Sequence, residues 1–467
     1  MGEELRMFSK SRVHFMGIGG IGMSALAQIL AAQGIRVSGC DKSAHSIIQK
    51  LKKGGIEVAE GHSPYHLQDA EAFVYSSAIV DSPELKAAQD KKIPIYPRGK
   101  LLAELVNNKF GIAVCGAHGK TTTTSLIVTI LKENKRDPTF LIGGIVETLG
   151  GNAGLGQGDI WVTEADESDG SFLQLNPKIA VVTNIDREHL DFYKNDHEIE
   201  AAYQKFIKNA SQRGRLIVCS EDLWLRRLVQ SGMTDCLSYG LHHDADIQAR
   251  NIEFSPFSSE FDVFYEGRLR VRLRINVPGE HNVLNALAAF TVGTEIGLSA
   301  EAIAYSILAF KGVGRRFQVK NQSKDIWVID DYAHHPTEIA ATLRSVNGLK
   351  RKRTIGIFQP HRYTRTQFLL EEFSRALQQV DHLILTEIYS AGEHPIPGIS
   401  GRQLYEKVVE YGHTSCEFIN KEEIAERLLS LARPGDTLLF LGAGDITQVA
   451  DEVAEKLRRQ VASERVI

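Results

Sequence analysis

The stretch Gly116-Ala117-His118-Gly119-Lys120-Thr121-Thr122 constrains this chain more than any other. It follows the apolar run Ile112 to Cys115, which reads as a buried strand, and precedes a helical pattern carrying Leu126, Ile127, Ile130 and Leu131. A strand that ends in a glycine loop and continues as a helix commits this region to an α/β sheet. The helix N-terminus then offers backbone N–H groups to an anion. Lys120 neutralises terminal phosphate charge, and the Thr121 hydroxyl is placed to ligate Mg²⁺. The common nucleotide-loop spacing requires a glycine five residues before Gly119, where this chain has Val114. A strict pattern search would miss the loop. A bare glycine-rich turn, however, has no use for a lysine and a hydroxyl at the helix start.

The 467 residues suffice for two to four domains, and the 43% hydrophobic and 24% charged content is that of a soluble globular protein. A formal charge of −4 gives no general attraction to nucleic acid or anionic lipid, so neither is expected as a partner. Arg268, Arg270, Arg272 and Arg274 alternate with apolar residues after a Glu266-Gly267 turn and read as the solvated face of one strand. The five cysteines are scattered, with no pair at metal-ligand spacing, which suits a reduced cytosol. The first residues lack the apolar core of a signal peptide, and no stretch approaches the roughly 20 apolar residues of a membrane span. The expected location is cytoplasmic, with no membrane association.

The rhythm of strand and helix predicts an α/β protein of three domains. Residues 1–108 read as a Rossmann-like parallel sheet, with strands near Val13–Met16, Ile35–Cys40, Ala72–Ser76 and Ile93–Ile95. Residues 109–318 read as a P-loop ATPase-type α/β domain, with strands near Ile160–Thr163 and Ile179–Asn184 and an added β-hairpin region near Phe261–Ile275. Residues 319–467 return to Rossmann-like alternation, and Gly312 and Gly314 mark a hinge before them.

Other residue groups carry chemistry. Gly17, Gly19, Gly20 and Gly22 follow a strand and open a helix, with Asp41 ending the next strand. This matches the dinucleotide fingerprint and taken alone suggests a nicotinamide oxidoreductase. Its physics, though, is a pyrophosphate on a helix end, which any nucleoside diphosphate satisfies. The plain alternative is glycine that permits close helix–strand packing. Glu164 opens the run Glu164-Ala165-Asp166-Glu167 directly after a strand, where a Mg²⁺ ligand belongs beside a phosphate site. His189 follows another strand of the same sheet and is either a rim residue or packing. Asn282 and Asn285 share one helix face and suit a base or ribose, unless Asn282 simply caps the helix. Arg315 and Arg316 beside the hinge either reach a transferring phosphate or are solvated linker charge. Tyr332, His334, His361 and Arg362 lie at neighbouring strand ends, where acids, histidines and an arginine suit a small zwitterion.

Taken in order, GIGGIGMSALA at 17–27, GAHGKTTTT at 116–124, EADESDGSF at 164–172, NIDREHLDFY at 184–193, GEHNVLNALAA at 279–289, GRRF at 314–317, DDYAHHPTE at 330–338 and QPHRYTRT at 359–366 resemble the Mur ligases. These are ATP-dependent, amide-forming enzymes of peptidoglycan precursor synthesis, and the resemblance is strongest to the branch that adds L-alanine to UDP-N-acetylmuramate. Ala117 departs from the family loop, which usually has threonine; little effect is expected if that position contributes backbone.

The resemblance implies that the first domain holds UDP-sugar through Gly17, Gly19, Gly20, Gly22, Asp41 and Ser76. ATP would lie against residues 116–122, Asn282, Asn285 and Arg316. Thr121, Glu164 and His189 would surround Mg²⁺, and Lys120, Glu164, His189 and Arg316 would serve catalysis. Tyr332, His334, His361 and Arg362 would shape the alanine pocket. ATP would phosphorylate the lactyl carboxylate and the alanine amine would attack the acyl phosphate, with His189 and His334 both open as the base. A sibling that ligates a preformed tripeptide is the nearest alternative, although Tyr332 and the N-terminal loop favour alanine. A nicotinamide oxidoreductase and a non-enzymatic nucleotide switch are the others. Whether the chain is a monomer or homodimer stays open.

Overall fold

Valine- and isoleucine-rich runs become the interior strands of three separate sheets. The computed structural model describes residues 12–464 apart from 43–45, 77–78, 80–81, 191 and 232–234. Asp191 of the 184–193 stretch and the first eleven residues thus lie outside the described residues. The first sheet has five parallel strands in the spatial order Glu57–Glu60, Arg36–Asp41, Arg12–Met16, Ala72–Tyr75, Ile95–Pro97. Its order reverses beside Arg12–Met16, so the crevice for a ligand opens above that strand's C-terminal end, where Gly17 to Gly22 lie.

The central sheet has ten strands and is mixed. Its middle is parallel: Arg215–Cys219, Ile179–Val182, Phe110–Cys115, Ile160–Glu164 and Thr139–Val146 lie side by side. Every residue of Ile179–Val182 is buried, as expected of a strand covered on both faces. One edge is an antiparallel meander, Ile247–Ser255, Ser258–Tyr265 and Arg268–Ile275, so the expected hairpin is the outer part of a three-stranded extension. Along its last strand Arg268, Arg270, Arg272 and Arg274 are exposed while Leu273 and Ile275 are buried, as the alternation indicated. Helix Lys120–Glu133 is buried continuously from Thr121 to Leu131, between the sheet and helix Glu280–Glu295.

The third sheet has six strands, all parallel except the edge strand Gln318–Asn321. One apolar core runs through the first and central sheets together. The third sheet carries two clusters of its own. Among the described residues no helix is long and apolar enough to cross a membrane.

Candidate active site

The central glycine loop is fastened to the neighbouring strand end by its backbone. Ala117 N donates to Asn184 O at 3.2 Å and His118 N to Asn184 Oδ1 at 2.8 Å, while the Thr183 hydroxyl donates to His118 O at 2.7 Å. Ala117 thus serves through its backbone. Gly119 has φ of +81° and opens the helix, and a Cβ there would stand 2.5 Å from Asn285 Oδ1. Asn285 is therefore at the loop itself. It accepts from the Thr123 hydroxyl at 3.1 Å and donates to Asn282 Oδ1 at 3.3 Å. Asn282 is not a helix cap, since Gly279 holds that place; its amide donates to Pro278 O at 2.7 Å.

Lys120 donates to its own loop at Gly116 O and Ala117 O, and its Nζ lies 2.7 Å from Glu167 Oε1. Burial alone would strip its proton, but Glu167 and Asp166 outweigh burial and raise its pKa, so it stays an ammonium. His189 Nε2 lies 3.4 Å from the same Glu167 oxygen. Burial opposes its protonation, yet the Glu167 hydrogen bond raises its pKa. His189 adopts φ of +57°, held by Phe192 N and Tyr193 N, which both donate to its carbonyl at 2.9 Å.

Glu164 accepts from Gly143 N at 2.6 Å and from the Thr121 hydroxyl. Burial raises its pKa, and these donors with the Lys120 charge offset only part of that. Thr121 thus pairs with Glu164, while Lys120 and His189 share Glu167. A half-buried carboxylate whose charge is under-compensated, beside a hydroxyl oxygen, fits a hard cation such as Mg²⁺.

A cavity of about 610 Å³ opens in front of the loop, between the central and third domains. Its lining includes His118, Thr122, Asn282, Asn285, Tyr239 and, from the hinge, Arg316. Its size and mixture of polar and apolar walls suit a nucleotide. Arg316 lies 3.4 Å from Glu338 and 5.0 Å from the Tyr332 ring. Arg315 stacks over the same ring at 4.8 Å but spends its guanidinium on the third domain, donating to Gly442 O. Asp331 accepts from Phe317 N and Ala333 N, both at 2.8 Å, and burial lifts its pKa to about 6 against the pull of Arg316.

The domain joint consists of charged and aromatic groups. His118 lies 2.8 Å from Asp186 and 3.3 Å from Glu338. Burial would lower its pKa, but those two carboxylates lift it to about 10. The Thr337 hydroxyl donates to Asp186 at 2.7 Å, and Arg365 donates to Glu188 at 2.9 Å. His118, Asp186 and His335 also bring donor atoms within 4.8 Å of one another.

Tyr332, His334 and His361 form a chain of rings with centroids 5.3 and 5.6 Å apart. Burial lowers the pKa of both histidines, so they are neutral. Arg362 adopts φ of +73° and stands 3.7 Å from Glu393, whereas Arg365 reaches back to His361. The first loop is arranged separately. Gly17 N and Ile18 N donate to Cys40 O, Gly19 N donates to Asp41 Oδ2 at 2.8 Å, and Ser76 N donates to Met16 O at 3.4 Å. A Cβ on Gly22 would lie 3.2 Å from Arg98, which donates to Asp166 at 2.7 Å and so links the first loop to the acidic segment after strand Ile160–Glu164. Gly20 starts the helix without a side-chain cap.

Sequence reasoning singled out neither Glu167, Asp186, Glu188, Glu338 and Arg365 nor Arg98. The first five fall inside stretches already recognised; only their long-range partners mark them. Arg98 carries no motif.

Three domain matches span the chain: the Mur ligase family, catalytic domain over residues 12–110, the Mur ligase middle domain over 114–293, and the Mur ligase, glutamate ligase domain over 315–444. A protein of Geotalea daltonii named UDP-N-acetylmuramate–L-alanine ligase is 45% identical over 455 residues, covering 97% of this chain and 99% of its own. The chain belongs to the Mur ligase family. A relative of the same name from Syntrophotalea carbinolica is 44% identical over 97% of this Mur ligase and its own full length. The crystal structure of UDP-N-acetylmuramate-alanine ligase from Thermotoga maritima superposes with a TM-score of 0.83 at 29% identity, covering 96% of this chain and 100% of that one. The fold is thus the three-domain α/β arrangement of this family. A murein peptide ligase from Psychrobacter arcticus shares the fold at a TM-score of 0.72 and 24% identity, covering 96% and 98% of the two chains.

Proposed function

We propose that this Mur ligase joins L-alanine to the lactyl carboxylate of UDP-N-acetylmuramate, with ATP cleaved to ADP and phosphate, as the first amino-acid addition of peptidoglycan precursor synthesis. The observation that carries this reading is the 45% identity, over nearly both full lengths, to a protein named for that ligation. Residues 1–108 hold the sugar nucleotide at Gly17, Gly19, Gly20, Gly22, Asp41 and Ser76. Residues 109–318 hold ATP, and residues 319–467 bring the amino acid to Tyr332, His334, His361 and Arg362. The cytoplasm, where ATP and the sugar nucleotide are found, is the working compartment.

A carboxylate is a poor acceptor for an amine and must first be activated. Its attack on the terminal phosphate brings two anions together, so positive charge is required at that point. Lys120 supplies it by exchanging Glu167 for phosphate oxygens, and Arg316 supplies more from the hinge. Thr121 and Glu164 would hold Mg²⁺, with His189 nearby; bound there, the ion would neutralise phosphate oxygens. Asn282 and Asn285 position the nucleotide. The alanine ammonium gives a proton to a base, with His189 and His334 both open for that role, and the amine adds to the acyl phosphate carbonyl; the tetrahedral intermediate then loses a second proton to solvent as its C–O bond breaks and phosphate leaves. The neutral rings of His334 and His361 avoid repelling the alanine ammonium, while Arg362 takes its carboxylate. Closure of the third domain keeps water from the acyl phosphate.

Phosphate release from ATP, Mg²⁺ and UDP-N-acetylmuramate, measured with L-alanine or with the tripeptide, tests the reading. Release dependent on alanine is expected. Preference for the tripeptide would transfer the chain to the peptide-adding branch.

A further inference from the structure

The first domain buries a group of side chains that neither glycine loop uses. His14 lies on strand Arg12–Met16, Cys40 on strand Arg36–Asp41, His66 in the helical turn Pro64–Leu67 and Glu84 in the first turn of helix Pro83–Asp90. Cys40 and Glu84 are fully buried and His14 is 1% exposed. Each offers one ligand atom, and the four atoms lie within 4.8 Å of one another. Cys40 Sγ is 3.0 Å from Glu84 Oε2, His66 Nδ1 is 3.0 Å from Glu84 Oε1, and His14 Nε2 is 3.3 Å from that same oxygen. Ligands around a tetrahedral zinc ion stand roughly 3.3–3.8 Å apart, given its bond lengths, so little movement separates this arrangement from a coordination shell.

His14 separates the group from an ordinary hydrogen-bond network. Its Nδ1 is occupied by Ser38 Oγ at 3.0 Å, and Ser38 is itself held by Arg12 Nε at 3.1 Å. Its Nε2, aimed into the cluster, faces Glu84 Oε1 at 3.3 Å but out of line for a good hydrogen bond. A buried ring nitrogen left in that condition is costly. An imidazole steered through one nitrogen so that the other faces a shared centre is how metal-bound histidines are held.

We propose that His14, Cys40, His66 and Glu84 form a binding site for a thiophilic divalent cation, with zinc the best match. One thiolate, one carboxylate and two neutral imidazoles sum to −2, which cancels the ion's charge, so the filled site is neutral in its buried setting. Magnesium prefers oxygen ligands and would reject this set. On binding, the Cys40 S–H bond breaks, its proton leaves to solvent and a sulfur–metal bond forms. His62, with Nδ1 3.1 Å from Cys40 Sγ, is placed to carry that proton outward. The site adjoins the first glycine loop, because Cys40 O accepts from Gly17 N and Ile18 N and the next residue, Asp41, accepts from Gly19 N. Filling it fixes the base of that loop.

The test is a Co²⁺ titration of the full-length protein after chelator dialysis, without nucleotide and with Mg²⁺ in excess to occupy hard-oxygen sites. The expected result is one Co²⁺ per chain with a thiolate-to-cobalt charge-transfer band, displaced by equimolar Zn²⁺. Cys40→Ser should abolish the band. His66→Asn alters the most exposed of the four side chains and, removing a direct ligand, should weaken binding by about 100-fold or more while leaving the circular dichroism spectrum unchanged. The proposal is overturned if the wild-type protein gives no such band, if Cys40→Ser retains it, or if folded His66→Asn binds Co²⁺ as tightly as wild type.

Discussion

The two glycine loops share one local recipe, a buried strand, glycines and a helix N-terminus, and differ in what surrounds them. The central loop has a lysine at the helix start bonded to the buried Glu167, a second acid, Glu164, beside it, and an arginine arriving from the hinge. The first loop has no lysine. Asp41 closes it from within by accepting Gly19 N, and Arg98 stands beside it while already bonded to Asp166. A loop that only holds a diphosphate needs N–H groups and a helix end. A loop from which a phosphoryl group departs needs mobile cations as well, since charge must be stabilised where it develops. Their difference is therefore one of side chains rather than of backbone.

Substitutions should separate the two loops by the kinetic constant they alter. Lys120→Ala should lower kcat by about 10³-fold or more with the fold intact, because it removes charge aimed at the transferring group; near-normal steady-state turnover would erase the distinction. Arg316→Ala should lower kcat by about 10²-fold, measured at saturating ATP. At the amino-acid end, Arg362→Ala should raise the alanine KM by about 10-fold, and an unchanged KM would place the carboxylate elsewhere. Asp41→Ala should raise the sugar-nucleotide KM by up to about 10-fold with kcat nearly unchanged, the signature of a binding loop.

The smallest expected effect concerns the joint beside the central loop. His118 is lifted from its ordinary 6.5 to about 10 by Asp186 and Glu338. A base whose pKa rises on folding contributes stability in full below 6.5 and loses it as pH climbs toward 10. The thermal midpoint should decline across that window, and His118→Gln should flatten the decline. An identical slope in the variant would remove His118 from the joint.

Much of this was legible in the sequence, for specific reasons. The strands were visible because parallel, doubly covered strands such as Ile179–Val182 are apolar throughout. The meander edge was visible because its arginines alternate. Lys120 was legible because it opens a helix directly after the glycine loop, and Asn282 and Asn285 because they share one face of a second helix, which the fold brings to that loop. Partner choice was not legible. Thr337 meets Asp186 across 151 residues and Arg365 meets Glu188 across 177, separations that no local period records. Arg362 and Arg365 look equivalent in sequence. In the fold, one turns to Glu393 and the other to His361 and Glu188. The possible metal ligands of the first domain were hidden for the same reason, since no two of them are close enough along the chain to form a spacing motif.

The third sheet keeps its own apolar clusters, while one core runs through the first two beside a small cluster around Met16 and Phe73. The ties at His118, Asp186 and Glu188 are ionic or hydrogen-bonded, and water can replace each of them when they part. The third body can therefore part from the other two while baring little beyond the Phe257–Trp327 ring contact, whose centroids stand 4.7 Å apart, so neighbouring molecules would find only a small oily patch to stick to. Added salt should favour the parted form, because the latch is made of charge.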